Sequence, residues 1–336
     1  MAAKEDILAF SALSREIFQQ ISKDVVGIEQ VVSHCVIAMI AGGNVLLEGI
    51  PGVGKTRLVR SIGRVFGMPF SRIQFTPDLM PADITGTNII ERQPDGSSVY
   101  RFQAGPIFSS IVLADEINRA TPKTQSALLE AMQEHIVSVG GKDYPLPEPF
   151  FVLATQNPIE QDGTYPLPEA QIDRFIFKLL LPFPSAAELK KIVLMTQATM
   201  EETANQVVNA EQLMNMRATA REIPVIEEIL DYTMDLVSAT HPDSPGASET
   251  ARRYVRLGAS PRAAQALITA AKVSALLGGR YNVAFEDINE LAFPVLRHRL
   301  RLNFDAVAEK KKPDELIESI LREVQSACKA YRGKRR

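Results

Sequence analysis

The residues best suited to chemistry form one glycine-rich run, GIPGVGKT, at positions 49–56. This run matches the phosphate-binding pattern G-x-x-x-x-G-K-[ST] at every fixed position. In such a loop the backbone N–H groups point at phosphate oxygens, Lys55 reaches the β- and γ-phosphates, and the Thr56 hydroxyl takes a Mg²⁺ position. We therefore expect the chain to bind a nucleoside triphosphate through Gly49, Pro51, Gly52, Val53, Gly54, Lys55, Thr56 and Arg57.

An acidic pair, Asp115-Glu116, ends the apolar run 111–114, sixty residues after Lys55. Following a phosphate-binding loop, Asp115 is expected to hold Mg²⁺ through its water shell, and Glu116 to orient or deprotonate the attacking water. Binding then needs the first carboxylate, whereas hydrolysis needs the second. Without the loop, the pair would as often be only a favourable charge at a helix N-terminus.

A polar amide follows the next apolar run, 150–154, in the sequence Thr155-Gln156-Asn157-Pro158. At the end of a strand beside the acidic pair, Asn157 could hydrogen-bond the γ-phosphate or the attacking water. The alternative is that Asn157-Pro158 only makes a turn.

Strand and helix patterns alternate between these motifs, which indicates an α/β fold with a parallel sheet covered on both faces. The predicted strands are the apolar runs 45–47, 72–75, 111–114, 150–154 and 175–181. After the capping box 185–188, helical patterns continue to the C-terminus without a convincing strand. We therefore expect a nucleotide-binding domain over 1–184 and an all-α lid domain over 185–336.

Two stretches interrupt this alternation and predict β-hairpins. One spans 88–102 with a turn at Asp95-Gly96, and the other spans 136–146 with a turn at Gly140-Gly141. They are either decorative surface hairpins or projections that contact a partner.

Composition limits the remaining possibilities. With 336 residues, 46% hydrophobic and a formal net charge of −3, the chain can bury a large core but has no global field that favours nucleic acid or an anionic membrane. No uncharged apolar run approaches the roughly 18 residues of a membrane span. Cys35 and Cys328 lie far apart, so neither a disulfide framework nor a zinc site is indicated. We expect a cytoplasmic protein.

Five motifs in order resemble the MoxR family of AAA+ ATPases over nearly the whole chain: GIPGVGKT (49–56), IVLADEINRA (111–120), ATQNP (154–158), LPEAQIDRF (167–175) and GASPRA (258–263). The first two identify only a phosphate-loop ATPase, whereas the combination with the last two is much more selective. The resemblance implies a homo-oligomer, expected to be a hexameric ring, with each nucleotide between an α/β domain and a helical lid at a subunit junction.

The resemblance also implies roles for single residues. Asn157 would be sensor 1, and Arg262 would be sensor 2, contacting phosphate in its own subunit. The segment 25–28, with Val26 and Gly27, would lie on the adenine side, although core packing is an alternative for it. No N-K-x-D sequence that would read guanine is present, so ATP with Mg²⁺ is the expected cofactor pair.

Arg174 would be the arginine finger, which reaches the γ-phosphate bound by a neighbouring subunit and raises the rate about 10³- to 10⁵-fold. Alternatively, Arg174 pairs with Glu169 or Asp173 on its own helix. Arg119, just after the acidic pair, is the rival for a contact across subunits. The expected catalytic set is Lys55, Glu116, Asn157 and Arg174.

The leading expectation is a Mg²⁺-dependent ATPase ring that remodels, activates or inserts a cofactor into client proteins. The resemblance alone implies partners that contain a von Willebrand factor A domain. A nucleic-acid motor is a second hypothesis, but the hairpin loops 92–96 and 140–142 carry few positive charges, so nucleic acid is disfavoured. A third hypothesis is a nucleotide-switched scaffold with negligible turnover. The presence of Glu116, Asn157 and Arg174 together argues against it.

Overall fold

The computed structural model describes residues 4–50, 52–95, 97–158, 163–197 and 203–334, and it divides into two compact units. We call Arg15–Arg174 with Leu179–Asn215 the sheet unit. The described residues before Arg15, the segment Phe175–Lys178 and the residues from Met216 onward form the helical unit. The domain boundary expected at 184 stays a prediction.

The elements follow one another in a regular α/β order up to residue 180 and are mostly helical after it. The first part contains α1 (Lys4–Asp24), α2 (Glu29–Ala41), β1 (Asn44–Glu48), α3 (Lys55–Val65), β2 (Phe70–Gln74), α4 (Pro81–Thr85), β3 (Gly86–Arg92), β4 (Ser98–Ala104), β5 (Ile111–Asp115), a 3₁₀ turn (Ile117–Arg119), α5 (Pro122–Glu134), β6 (Ile136–Val139), β7 (Lys142–Pro145), β8 (Phe151–Gln156), α6 (Glu169–Ile172) and β9 (Phe175–Leu180). The second part contains α7 (Ala186–Gln197), α8 (Ala210–Arg221), α9 (Glu227–Ala239), α10 (Glu249–Tyr254), β10 (Val255–Leu257), α11 (Pro261–Leu277), α12 (Phe285–Leu296), β11 (Arg301–Leu302), α13 (Phe304–Ala308) and α14 (Pro313–Lys334).

A five-stranded sheet in the order β2-β5-β8-β1-β9 confirms the predicted α/β fold. Its inner strands are continuous apolar runs because both faces are covered, and the side chains of 45–47, 111–114 and 151–155 are buried. The pairs β2–β5, β5–β8 and β1–β8 are all parallel.

The parallel arrangement decides where the sequence motifs meet. Carboxyl ends of parallel strands lie at one edge of a sheet, and Glu48 of β1 is opposite Gln156 of β8, while Ala114 of β5 is opposite Ala154 of β8. The loop after β1, the acidic pair at the end of β5 and Asn157 after β8 therefore lie at the same edge.

Two antiparallel hairpins leave this framework. In the first, β3 pairs with β4 from Gly86 opposite Ala104 to Arg92 opposite Ser98, and in the second β6 pairs with β7. The ring of Phe102 on β4 stacks on Tyr144 of β7, with centroids 3.9 Å apart. This aromatic stack ties the two hairpins together. Gly96, in the predicted turn of the first hairpin, lies outside the described residues.

The helical unit buries a polar cluster in the residues that directly follow α12. Buried Arg299 donates from Nη2 to the carbonyl of Phe175 at 2.8 Å and from Nη1 to that of Val295 at 2.6 Å. The ring of His298 is also buried, and its Nε2 contacts the carbonyl of Phe175 at 3.1 Å. These bonds satisfy backbone carbonyls that would otherwise be buried without partners.

The helical unit also contains a small antiparallel ribbon, in which Val255 of β10 pairs with Leu302 of β11. Our prediction of helix alone after residue 184 missed it. Strands of three and two residues are too short to show an alternating pattern in the sequence. Among the described residues, no helix has both the length and the apolar character needed to cross a bilayer.

Candidate active site

The glycine-rich loop between β1 and α3 has the backbone that a phosphate cradle needs. Gly52 and Gly54 have φ values of +83° and +84°, in the left-handed region that strains other residues. A Cβ on either would meet no atom within 4 Å, so the backbone conformation, rather than crowding, demands glycine here. Gly49 differs, because its Cβ would lie 2.8 Å from the Cβ of Leu181. Pro51 lies outside the described residues.

Helix α3 begins at Lys55 with Gly54 as its N-cap and no side chain capping its first turn. Its first backbone N–H groups therefore remain available, and the helix dipole places positive potential at the same point. Thr56 and Arg57 occupy this first turn. The loop and helix end thus fit a phosphate group.

Lys55 is buried and reaches back across the loop, where its Nζ donates to the carbonyl of Gly49 at 2.7 Å. Burial lowers the pKa of its amine, whereas the negative charges of Asp115 and Glu116 act in the opposite direction. The amine therefore lies in the field of the acidic pair and can transfer its hydrogen bond to a phosphate oxygen.

Asp115 is held by two residues. Its Oδ2 accepts from Arg72, from Nη2 at 2.6 Å and from Nε at 3.2 Å, and its Oδ1 accepts from the hydroxyl of Thr155 at 2.6 Å. The carboxylate is only 14% exposed. A fixed carboxylate at the sheet edge that also carries the loop supplies the hard oxygen ligands that Mg²⁺ prefers.

Glu116 is held by three hydrogen bonds. Its backbone N–H donates to the hydroxyl of Thr155 at 2.8 Å, and its Oε2 accepts from Gln74 at 2.9 Å and from Nη1 of Arg119 at 3.1 Å. Its φ of 57° is left-handed, a strained conformation that is enriched at functional sites.

Sequence reasoning missed three of these partners: Arg72, Gln74 and Thr155. Arg72 and Gln74 project from the same side of β2, and Nη2 of Arg72 also donates to Oε1 of Gln74 at 2.6 Å. They alternate with buried Ile73 and Phe75. That alternation was visible in the sequence and could have marked a polar face at the sheet edge.

Asn157 and Arg262 lie at the positions that their motifs indicated. Asn157 directly follows β8 and is buried, at the edge where the acidic pair lies. Arg262 is exposed at the start of α11, behind Pro261 at the first helical position, and belongs to the helical unit. Contact of either residue with phosphate stays a prediction.

Arg174 is half-buried and points into its own chain. Its Nη1 donates to the carbonyl of Leu129 on α5 at 2.7 Å, and its Nε is buried without a partner in the described part of the chain. This hydrogen bond is to α5, and pairing with Glu169 or Asp173, the alternative that spacing suggested, stays a prediction. Arg119, the rival, is 44% exposed and paired with Glu116.

An apolar cavity of about 180 Å³ adjoins the loop at Gly52–Gly54. Val26 lines it, as does a wall that the sequence did not indicate: Phe183, Pro184, Leu189, Ile192 and Met195. Gly27 does not line the cavity. It turns the chain at φ +82°, its N–H donates to Glu29, and its Cβ would lie 2.8 Å from the side chain of Glu188.

Comparisons with known proteins cover both units. The model of the "ATPase family associated with various cellular activities (AAA)" matches residues 44–177, and that of an AAA lid domain matches residues 247–320. The chain is 44% identical to Chaperone MoxR1 of Mycobacterium tuberculosis, over 93% of this chain and 81% of that protein. It is 42% identical to the uncharacterized protein YeaC of Bacillus subtilis, over 98% and 97% of the two chains.

More distant and structural relatives agree. Protein MoxR of Paracoccus denitrificans is 31% identical over 83% of this chain and 86% of its own length. The crystal structure of a predicted ATPase from Cytophaga hutchinsonii matches with a TM-score of 0.88 and 40% identity, over 96% of this chain and 97% of that one. The chain is therefore an ATPase, and it belongs to the MoxR family of AAA+ proteins.

Proposed function

We propose that this ATPase requires Mg²⁺, works as an oligomeric ring, and uses ATP turnover in a chaperone-like way to remodel or activate client proteins or to assist cofactor insertion into them. The observation that supports the proposal best is the acidic pair fixed at the carboxyl edge of the sheet. A scaffold that only bound nucleotide would need Asp115, but not a strained Glu116 held by three hydrogen bonds. The name of the mycobacterial relative, a chaperone, supports the client role.

Thr56 and Asp115 would hold Mg²⁺, which when bound neutralises charge on the β- and γ-phosphate oxygens. Thr155 and Arg72 keep the Asp115 carboxylate in one orientation. Lys55 would exchange its bond to the Gly49 carbonyl for a phosphate oxygen, and a charged partner makes the stronger bond. We assign binding to these residues and activation of the attacking water to Glu116, with Asn157 positioning that water or the γ-phosphate.

The apolar cavity beside the loop would take the adenine ring. Val26 and Phe183 provide apolar surface for a purine, and the cavity adjoins the loop that would hold the phosphates. Arg262 would contact phosphate in the same subunit and couple the lid to the nucleotide state.

Hydrolysis would be completed by a neighbouring subunit through Arg174. To act there, Arg174 must leave the Leu129 carbonyl, a neutral acceptor that a phosphate oxygen outcompetes. Arg119 is the alternative finger, and drawing it away would also remove one of the two hydrogen bonds to the Glu116 carboxylate. The resemblance to AAA+ rings supports a hexamer, and it supports partners that contain a von Willebrand factor A domain.

The sharing of sites is tested by mixing two variants that are each inactive. Arg174→Ala subunits retain Glu116, and Glu116→Gln subunits retain Arg174. If sites are shared, mixed rings regain Mg·ATP turnover, because some junctions combine an intact Glu116 with an intact Arg174. Turnover that stays at background in a mixture shown to form mixed oligomers would reject Arg174 as the trans-acting group. A mixture of Arg119→Ala with Glu116→Gln subunits then tests Arg119, the alternative finger, in the same way.

The hairpins are our candidates for client contact. Ile90 and Tyr100 are directly paired across β3 and β4 and are 63% and 75% exposed, an apolar pair that water disfavours. Replacing both by serine should leave basal turnover unchanged and abolish the client's effect on turnover. Phe304→Ser, at a residue that is 83% exposed in the helical unit, is the matched control. Equal loss in the control would remove the hairpins from the client role.

A further inference from the structure

A second cavity, of about 330 Å³, lies along α3, and of its lining residues only Thr56 and Arg57 belong to the expected nucleotide site. It is lined by Asp24, Thr56, Arg57, Arg60, Ser61 and Arg64. Unlike the apolar cavity, it presents mainly cationic and hydroxyl-bearing side chains. The residue types therefore point to an anionic ligand.

The three arginines form one row. Positions 57, 60 and 64 are spaced by three and four residues, so their side chains share one helix face over about 10 Å. Arg60 and Arg64 are exposed and Arg57 is half-buried, and within the described residues none of the three makes a hydrogen bond or an ion pair through its guanidinium. Like charges at this spacing destabilise a helix, so an anion that neutralises them would stabilise it.

Ser61 is an independent sign of a ligand. Its side chain is 1% exposed, it lines the cavity, and its Oγ is buried with no hydrogen-bond partner in the described structure. Most buried hydroxyls are bonded, commonly to a carbonyl one turn earlier in the helix. A buried hydroxyl without any bond that lines a cationic cavity is available to donate to an anion.

The one carboxylate on the cavity wall does not cancel this charge. Asp24 is 5% exposed, and its Oδ2 accepts from the backbone N–H of Ala204 at 3.4 Å. Three guanidinium groups against one carboxylate leave two net positive charges. The site therefore suits a dianion or a larger anion.

We propose that this cavity binds the phosphoryl groups of a small phosphorylated molecule, distinct from the nucleotide in the glycine-rich loop. Each planar guanidinium group can bond two phosphate oxygens at once. The row of arginines is about 10 Å long, so it can engage two adjacent phosphates, whereas a single carboxylate is too short to contact the whole row. Asp24 and Arg57 line both this cavity and the apolar cavity. Occupancy of one therefore changes the affinity of the other, and linkage makes the effect reciprocal.

The probe is inorganic pyrophosphate, titrated calorimetrically into protein saturated with ADP so that the loop is already filled. We expect one further site. Arg60→Ala and Arg64→Ala, both at exposed positions that tolerate truncation, should each weaken it at least tenfold, and Ser61→Ala should weaken it a few-fold. Arg92→Ala, at an exposed arginine on β3, is the control for lost net charge and should bind as the wild type does.

Three results would overturn the proposal. The first is the absence of a further site in ADP-saturated wild type. The second is a pair of observations: nucleotide-free Lys55→Ala no longer binds pyrophosphate, whereas Arg60→Ala and Arg64→Ala still bind it. This result would place all pyrophosphate binding in the glycine-rich loop. The third is equal affinity for malonate, since a dicarboxylate that binds as well would exclude phosphoryl recognition.

Discussion

Thr155 joins the two residues of the acidic pair, through the Asp115 carboxylate and the Glu116 backbone N–H, and its replacement by valine is the sharpest perturbation of the site. Valine has nearly the same shape, so it fills the fully buried position with a methyl group in place of the hydroxyl. That hydroxyl donates to Oδ1 of Asp115 and accepts from the N–H of Glu116. Thr155→Val therefore leaves a half-buried carboxylate with one fewer donor and a backbone N–H without its acceptor.

The two losses can be sized separately. A hydrogen bond to a charged group contributes about 1.5–3 kcal/mol, and a buried N–H left unpaired costs about 1–3 kcal/mol. One atom makes both bonds, so the structure relaxes once around both losses, and the two costs do not add in full. We therefore expect the free energy of unfolding to fall by about 2–4 kcal/mol. Loss of a residue that hydrogen-bonds a metal-binding carboxylate lowers activity by about 10- to 100-fold, so we expect the turnover of Thr155→Val to fall by that factor.

Urea unfolding measures the first effect, and Mg·ATP turnover at saturating nucleotide measures the second. Thr155→Ser keeps the hydroxyl and loses one methyl, so it should retain most of the turnover. If Thr155→Val were as stable and as active as Thr155→Ser, the hydroxyl bridge would have no role, and the reasoning about the acidic pair would be refuted.

Three further predictions follow from charged and titrating groups. Lys55→Ala should abolish ATP binding measured by calorimetry, and retained affinity would reject the loop assignment. Glu116→Gln should bind ATP but lose turnover, and an unchanged rate would remove Glu116 from the role of base. Burial, with Arg299 nearby, holds the pKa of His298 well below its usual 6.5, so the unfolded chain takes up this proton first as pH falls. Stability should be complete above about pH 6.5 and decrease below it, by at most about 1.4 kcal/mol per pH unit, and His298→Gln should flatten this dependence in urea titrations; an equally steep variant would assign it to other groups.

The sequence predicted the parts of the site that depend on local pattern. The loop at 49–56 is defined by glycines whose backbone angles are local, and the acidic pair is defined by the strand that precedes it. The sheet followed from apolar runs because parallel strands are buried on both faces. Their common edge then brought the motifs together without further information.

The partners of those motifs were beyond the sequence because they depend on register between distant strands. Arg72 meets Asp115 across the β2–β5 pair, and Thr155 meets it across the β5–β8 pair, each from about forty residues away. The inward bond of Arg174 to the Leu129 carbonyl has the same non-local origin. Spacing along one helix could suggest only Glu169 or Asp173.

The left-handed backbone of Glu116 has a consequence for how this family can change. A non-glycine residue in that conformation costs about 1–2 kcal/mol, which its hydrogen bonds to Gln74 and Arg119 offset only in part. Glu116→Gly should therefore raise the free energy of unfolding, by up to about 1 kcal/mol in urea titration, while abolishing turnover. A screen for thermostability alone would select inactive variants at position 116. Keeping the active residue, Glu116, therefore lowers the folding stability of the protein.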